Sequence, residues 1–209
     1  MRGRETLCYA VPARRAMRVI AGQAHGQRLK APRGLNTRPT SARARESIFS
    51  RLSVRLDFAG IAVLDLFAGS GSLSCEALSR GAAHATLIDS SRAAAAAIAA
   101  NLAALGLKAR ARIITADVFR GLDDLGAAAA RFDLIFIDAP FKNDLSAPVL
   151  ERIAAAGLVA EGGWIVAEQS KRAAAAPAAP AGLERTNVAN LGDHRIAFYR
   201  RPDAAPDGS

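Results

Sequence analysis

From residue 61 onward, short apolar runs alternate with segments of helical spacing. Short, continuous apolar runs are typical of strands buried on both faces, and helices between them are typical of a parallel sheet. The chain therefore predicts an α/β fold, with a mostly parallel sheet and helices on both of its faces. The predicted strands are 61–66, 85–88, 109–114, 133–137 and 164–168, and the predicted helices are 72–80, 91–105, 118–128 and 146–156.

After residue 168 the pattern changes to two β-like runs, 185–190 and 195–200, separated by a glycine-containing turn. They predict an antiparallel hairpin that closes a seven-stranded sheet. Before the alternating region, the runs 18–21 and 27–31 predict a small hairpin, and 41–52 predicts a helix with Thr40 as its N-cap. The predicted organisation is a flexible basic arm or mis-set start at 1–16, a basic N-terminal extension at 17–56, a catalytic domain at 57–201 and a disordered tail at 202–209.

The basic charge is concentrated at the N-terminus. Residues 1–55 hold 13 of the 28 Lys and Arg but only 2 of the 19 acidic residues, so this part carries a net +11 and the rest a net −2. Such a block is typical of proteins that contact phosphates, although a solvated arm without a partner is the alternative. The candidate RNA-binding residues are Arg18, Arg28, Lys30, Arg38, Arg43 and Arg45.

Several classes of protein are disfavoured. The chain has no apolar stretch long enough for a membrane span, and its N-terminus does not resemble a signal peptide, so we expect a cytoplasmic protein without membrane contact. Cys8 and Cys75 are far apart, and the three histidines share no ligand spacing, so no metal is expected. Cys75 falls on the apolar side of a predicted helix and is expected in the core.

A glycine loop follows the first predicted strand, in the run Asp65-Leu-Phe-Ala-Gly-Ser-Gly71. Glycines between a strand and a helix let the backbone approach a ligand closely. A dinucleotide-binding fingerprint would have another Gly or Ala at position 74, where this chain has serine. The loop alone leaves a nicotinamide oxidoreductase open, although no His or Tyr is placed for hydride transfer.

Acidic residues follow the next two predicted strands. Asp89 comes twenty positions after Gly69, a spacing at which a carboxylate can accept hydrogen bonds from ribose hydroxyls. Asp117 is placed to meet an adenine edge together with the backbone of Val118. Either acid alone is more often a helix cap, but ligands of open α/β sheets bind at the carboxyl ends of successive strands. The sequence therefore predicts a nucleoside-containing cofactor at this edge.

The fourth predicted strand ends in Asp138-Ala-Pro-Phe141. An amino group that is to be methylated must have its hydrogens held by acceptors, so that its lone pair points at the methyl donor. The carboxylate of Asp138 and the carbonyl of Ala139 can serve as acceptors, Pro140 stiffens the turn, and Phe141 offers a face for a flipped-out base. This run predicts methylation of an amino group.

The chain resembles the RsmD family of 16S rRNA guanine-N2 methyltransferases, which belong to the class I, Rossmann-like methyltransferases. The resemblance covers about 17–200. It depends on Arg18-Val-Ile-Ala-Gly22, on Thr37-Arg-Pro-Thr40 with Arg43, Arg45 and Glu46, on the glycine loop through Glu76-Ala-Leu-Ser-Arg-Gly81, and on Asp138-Ala-Pro-Phe141. The family usually has Asp-Pro-Pro-Phe/Tyr in the last run, so Ala139 departs from its pattern. An alanine keeps the carbonyl, and Pro140 still favours an extended conformation at position 139.

The resemblance implies S-adenosylmethionine as cofactor, and we expect direct in-line transfer without a covalent enzyme intermediate. It implies methylation of the exocyclic N2 of a guanine, guanine 966 in the family, within 16S rRNA of an assembled or nearly assembled small ribosomal subunit. A monomer is expected. The alternatives are another amino methyltransferase, acting on DNA adenine-N6 or protein glutamine, and a non-catalytic RNA-binding assembly factor. The implied cofactor contacts are Asp65, Phe67, Ala68, Gly69, Ser70, Gly71, Asp89, Asp117 and Val118, and the implied catalytic residues are Asp138, Ala139, Pro140 and Phe141.

Overall fold

A computed structural model describes residues 17–32, 42–140, 145–173 and 175–204. Its helices and strands follow one another in the order that the hydrophobic pattern predicts. They are α1 (Ala42–Leu52), β1 (Ala62–Leu66), α2 (Ser72–Ser79), β2 (His84–Ile88), α3 (Arg92–Ala104), β3 (Ala111–Ile114), α4 (Val118–Ala127), β4 (Phe132–Asp138), α5 (Ser146–Ala155), β5 (Val159–Ser170), β6 (Glu184–Leu191) and β7 (His194–Arg200).

The seven strands form one sheet in the order β3-β2-β1-β4-β5-β7-β6. Strands β1 to β5 pair in parallel with one another, whereas β7 runs antiparallel to both β5 and β6. The predicted Rossmann-like fold with a closing hairpin is therefore confirmed. The strand order reverses between β1 and β4, and open α/β sheets bind their ligands at such a point. Within the described parts of the chain, no helix is both long enough and apolar enough to cross a bilayer.

Each face of the sheet has its own apolar core. Along β4, Leu134 and Phe136 belong to the core beneath α1, α2 and α3, while Ile135 and Ile137 belong to the core beneath α4 and α5. This alternation is the two-residue period of a strand that is buried on both faces. Cys75 lies fully buried in the first core, as the sequence predicts.

Two strands differ from their predicted bounds by two or more residues at one or both ends. Residues 108–110 form a short 3-10 helix, so β3 begins only at Ala111. Strand β5 begins at Val159, five residues earlier than predicted, and contains a shift in register against β4. The pair Gly162-Gly163 precedes the predicted strand, yet it lies inside β5. A Cβ on Gly163 would come within 2.8 Å of the carbonyl oxygen of Ala160, so the irregular strand requires a glycine here.

The predicted N-terminal hairpin is reduced to a single bridge between Arg18 and Arg28. Side chains from α2 and α3 hold this segment against the domain. The carboxylate of Glu76 accepts hydrogen bonds from the backbone N–H groups of Ile20 and Ala21, at 2.6 and 3.0 Å. Asn101 donates to the carbonyl of Lys30 and accepts from its N–H group, at 2.9 and 2.8 Å. Buried polar side chains therefore supply the hydrogen bonds that a longer ladder would have provided.

Candidate active site at the carboxyl edge of the sheet

Four parallel strands end together at one edge of the sheet. In register, Leu66 of β1 lies beside Ile88 of β2 and Ile137 of β4, and Ile88 lies beside Ile114 of β3. The segments after these residues therefore emerge side by side. The structure brings together the glycine loop after β1, the acidic residues after β2 and β3, and the end of β4.

The glycine loop has an unusual backbone. Phe67, Gly69 and Gly71 all have a positive φ, at 59°, 55° and 70°. A Cβ on Gly71 would lie 3.1 Å from Leu87 and 3.3 Å from Ile98, so both space and conformation require glycine there. Gly69 needs glycine for its conformation only, because its Cβ would meet a single atom within 4 Å. The open side of Gly69 is where a ligand can approach the backbone.

Asp89 is hydrogen-bonded directly to this loop. Its Oδ2 accepts from the N–H group of Gly69 at 2.8 Å, and its Oδ1 accepts from the N–H group of Ser91 at 2.8 Å. A carboxylate offers about four acceptor positions, so these bonds leave capacity for hydroxyl donors. The structure therefore joins two predicted cofactor-binding positions, the glycine loop and Asp89, in one unit.

Asp65 lies deeper than the other acids and is only 1% exposed. Its Oδ2 accepts hydrogen bonds from the N–H and hydroxyl groups of Ser74, at 3.2 and 2.9 Å. Burial raises the pKa of this carboxyl to about 7, the bonds from Ser74 oppose the rise, and the charge of Asp89 adds to it. Asp65 therefore fixes the first turn of α2, which follows directly from the glycine loop.

Asp117 begins α4 as its N-cap. Its Oδ1 accepts from the N–H groups of Phe119 and Arg120, at 2.9 and 3.4 Å. The residue is exposed and the adjacent Val118 is buried. A capping residue can still present its second oxygen to a ligand, so the predicted contact with an adenine stays a prediction.

The run that starts at Asp138 lies at the centre of this edge. Asp138 is the last residue of β4 and is partly exposed, Ala139 is 5% exposed, and Pro140 is exposed. Ala139 packs in the core beneath α4 and α5, which anchors the turn although the usual proline is absent. Phe141 lies outside the described residues.

The structure separates the predicted RNA-binding residues into two groups. Arg18, Arg28, Lys30 and Arg43 are exposed, as phosphate contacts require. Arg45 is 1% exposed and its Nη2 donates to the carbonyl of Arg18 at 3.0 Å, so the prediction of a surface contact was wrong for this residue. Arg45 faces the core because α1 packs with that side against the domain. Arg38 lies outside the described residues.

Two polar clusters were missed as functional or structural elements. In the first, Glu76 and Ser79 hold the N-terminal segment, and the hydroxyl of Ser79 donates to Ala21 at 2.6 Å. Every residue of α2 is buried, so a polar side chain on this helix must find a protein partner. If α2 had been expected to be buried on all sides, its polar residues would have been predicted to bind other parts of the chain. The second cluster is a buried pair, Glu168 and His194, whose Oε1 and Nδ1 are 2.5 Å apart.

Comparison with known proteins identifies the family of this chain. The family model described as "Conserved hypothetical protein 95" matches residues 17–200. Ribosomal RNA small subunit methyltransferase D of Escherichia coli (strain K12) is 35% identical over 192 residues, which cover 88% of this chain and 90% of that protein. The chain belongs to the RsmD family of methyltransferases.

A second protein and a solved structure, both named as putative methyltransferases, are similar to the chain. Bacillus subtilis (strain 168) YlbH is 36% identical over 185 residues, which cover 88% of this chain and 99% of that protein. The structure of Escherichia coli yhhF is 32% identical, with a TM-score of 0.77 over 90% of this chain and 99% of that one. The family and the fold that the sequence predicts are both confirmed.

Proposed function

We propose that this protein transfers a methyl group from S-adenosylmethionine to the exocyclic N2 of a guanine in 16S rRNA, in the assembled or nearly assembled small ribosomal subunit. The observation that carries the proposal is the position of Asp138. It is the last residue of β4, and β4 pairs in parallel with β1, the strand before the glycine loop. A relative at 35% identity is named for methylation of small-subunit rRNA, which supports the substrate class. By resemblance, the target is guanine 966.

The residues at the sheet edge fit S-adenosylmethionine. Asp89 retains acceptor capacity for the ribose hydroxyls, and the open side of Gly69 allows close approach to the backbone. Asp117 and Val118 would meet the adenine, and Phe67, Ala68, Ser70 and Gly71 would line the path between. When bound, the cofactor supplies a methyl group on a positively charged sulfur.

The chain itself contributes positioning. Asp138 would accept a hydrogen bond from the target amino group, and the carbonyl of Ala139 would accept another, so that the nitrogen lone pair faces the methyl group. The carboxylate of Asp138 can take up the proton that the amino group loses. Holding the reacting atoms about 3–3.5 Å apart and in line accounts for most of the rate. Phe141 would stack on the flipped-out base.

The exposed basic residues of the N-terminal segment would dock the RNA. Arg18, Arg28 and Lys30 lie on the segment that α2 and α3 hold, and Arg43 lies in the first turn of α1. Their phosphate contacts position the substrate without reading its sequence. The polar anchors of this segment then set the position of the RNA relative to the catalytic edge.

The proposal is tested with Asp138→Ala and the control Asp124→Ala, an exposed acid on α4. Each protein is assayed with labelled cofactor on small subunits from a strain that lacks the enzyme, and calorimetry with S-adenosylhomocysteine measures cofactor binding. We expect Asp138→Ala to lose at least about 100-fold in rate while it retains cofactor binding. Full activity of this variant on purified subunits would overturn the proposal.

Parallel assays separate the alternatives. Labelling of duplex DNA or of a release factor, in place of the subunits, would indicate a different amino methyltransferase. Absence of cofactor binding would indicate a non-catalytic assembly factor. Mass mapping of the labelled 16S rRNA identifies the nucleotide and the methylated atom.

A further inference from the structure

A row of polar side chains lies beside Asp138 on one face of the sheet. Asp138 of β4 is in register with Glu168 of β5, and the antiparallel partner of Glu168 is Ile196 of β7. Residues that are directly paired share a face, and so do residues two apart on a strand. His194, two positions before Ile196, therefore lies on this face as well. Neighbouring strands are about 4.8 Å apart, which places Glu168 within reach of a group bound at Asp138.

Glu168 is held by His194. Its Oε1 lies 2.5 Å from Nδ1 of His194, and the two residues are 3% and 4% exposed. An ionised carboxylate can only accept hydrogen bonds, so the imidazole is the donor in this pair. The contact with His194 fixes the direction of the carboxylate of Glu168. Glu168 therefore offers an acceptor, and no donor, to any group beside Asp138.

The second oxygen of Glu168 is not used by any residue that the structure describes. Oε2 is buried and has no hydrogen-bond partner among the residues that the structure describes. A buried acceptor without a partner destabilises the folded state, and such groups call for a functional explanation. Two adjacent carboxylates, one of them with an unused buried oxygen, are suited to a ligand that carries two adjacent N–H donors.

We propose that Oε2 of Glu168 accepts a hydrogen bond from N1–H of the target guanine and thereby selects guanine. This inference rests on the proposed function. Guanine presents N1–H and the N2 amino group side by side, so Asp138 would bind the amino group while Glu168 binds N1–H. Adenine and cytosine carry a lone pair at the ring nitrogen beside their amino group, and an ionised carboxylate repels it. Glu168 is thus a specificity-determining residue.

The decisive substrate carries 2-aminopurine at the target position. This base keeps the amino group at C2, but its N1 is an acceptor. Small subunits are reconstituted from 16S rRNA that is ligated around a synthetic oligonucleotide with guanine or 2-aminopurine at the mapped site. We expect the unmodified enzyme to prefer guanine by about 10- to 100-fold in kcat/KM, the discrimination typical of a specific base contact.

Two variants of Glu168 then test the contact. In Glu168→Gln, the amide can donate to N1 of 2-aminopurine, so kcat/KM for guanine is expected to fall about 10- to 100-fold and the preference to vanish or invert. Glu168→Asp keeps the charge, so it is expected to be slower but still to prefer guanine. The control Glu184→Gln removes an exposed carboxylate from β6 and is expected to leave both substrates unaffected.

The ratio of kcat/KM between guanine and 2-aminopurine does not depend on how much of a variant is folded, because both substrates are assayed with the same enzyme preparation. An unchanged preference in Glu168→Gln would overturn the role of Glu168. A different result would overturn the proposed function itself, namely that the unmodified enzyme labels no guanine in the subunits.

Discussion

Glu76 accepts a hydrogen bond of 2.6 Å from the backbone N–H group of Ile20, a residue 56 positions earlier in the chain. The same carboxylate accepts from Ala21 at 3.0 Å and forms an ion pair of 2.7 Å with Arg80. The side chain of Glu76 is fully buried, so these three donors compensate its charge. One glutamate therefore joins the basic N-terminal segment to the helix that follows the glycine loop.

Replacing Glu76 tests this anchor. Glu76→Ala leaves two backbone N–H groups and the Arg80 charge without their partner, so we expect the free energy of unfolding to fall by about 3 kcal/mol. Urea denaturation at pH 7 measures the loss, and hydrogen exchange at Ile20 and Ala21 should accelerate. Glu151→Ala, on the exposed side of α5, is the control and should change stability by less than about 0.5 kcal/mol. Equal stabilities for the two variants would contradict the anchor.

The bond between Asp89 and Gly69 leads to a prediction about the cofactor. Asp89→Ala removes an acceptor for the ribose and also the bond that holds the glycine loop. We expect the affinity for S-adenosylhomocysteine to fall at least about 10-fold, since hydrogen bonds to charged groups contribute about 1.5–3 kcal/mol. Titration calorimetry measures the change, with Asp124→Ala as a matched exposed acid. An affinity equal to that of the control would remove Asp89 from the cofactor site.

Asp65 makes stability depend on pH. Its pKa is about 7 in the folded chain and near the ordinary 3.8 after unfolding. Between these values the unfolded chain binds fewer protons, so stability falls as pH rises from about 4 to 7 and then levels off. Asp65→Asn keeps an acceptor for Ser74 and removes the ionisation. The free energy of unfolding of Asp65→Asn minus that of the original chain should rise by about 4 kcal/mol between pH 4 and 7. Denaturation of both proteins at each pH measures this difference. A constant difference would contradict the raised pKa.

Local patterns in the sequence predicted most of the fold because strands buried on both faces produce unmistakable apolar runs. The exceptions were places where tertiary contacts override local preference. Gly162 and Gly163 lie before the predicted strand, but the pairing of Val159 with Phe132 of β4 extends β5 through them. The hairpin predicted for 18–31 is shorter than expected, because Glu76 and Asn101 supply hydrogen bonds that a longer ladder would otherwise make.

Only part of the candidate site could be predicted from local patterns in the sequence. Glycines and acids at strand ends can be found from the chain alone, because parallel strands bring their carboxyl ends to one edge. The pair Glu168 and His194 could not be found in this way. Its members are 26 positions apart and meet only through the register between β5 and β7.

Arg43 and Arg45 show how two neighbouring arginines on one helix separate into different roles. Arg43 is exposed, whereas Arg45 is 1% exposed and donates to the carbonyl of Arg18. Burial lowers the pKa of Arg45, and the nearby charge of Glu76 opposes this shift. Arg43 can therefore neutralise a phosphate from solvent, while Arg45 holds α1 against the N-terminal segment.

Alanine variants should separate these roles. Arg43→Ala should weaken binding to 16S rRNA and reduce the slope of log affinity against log salt by about 1, with stability unchanged. Arg45→Ala should lower the free energy of unfolding by about 2–4 kcal/mol, because a buried side chain and its hydrogen bond are lost. Its salt slope should match that of the original chain, because no phosphate contact is removed. Filter binding over a salt series and urea denaturation provide both readouts, and a reduced slope for Arg45→Ala would mean that the buried arginine contacts RNA after all.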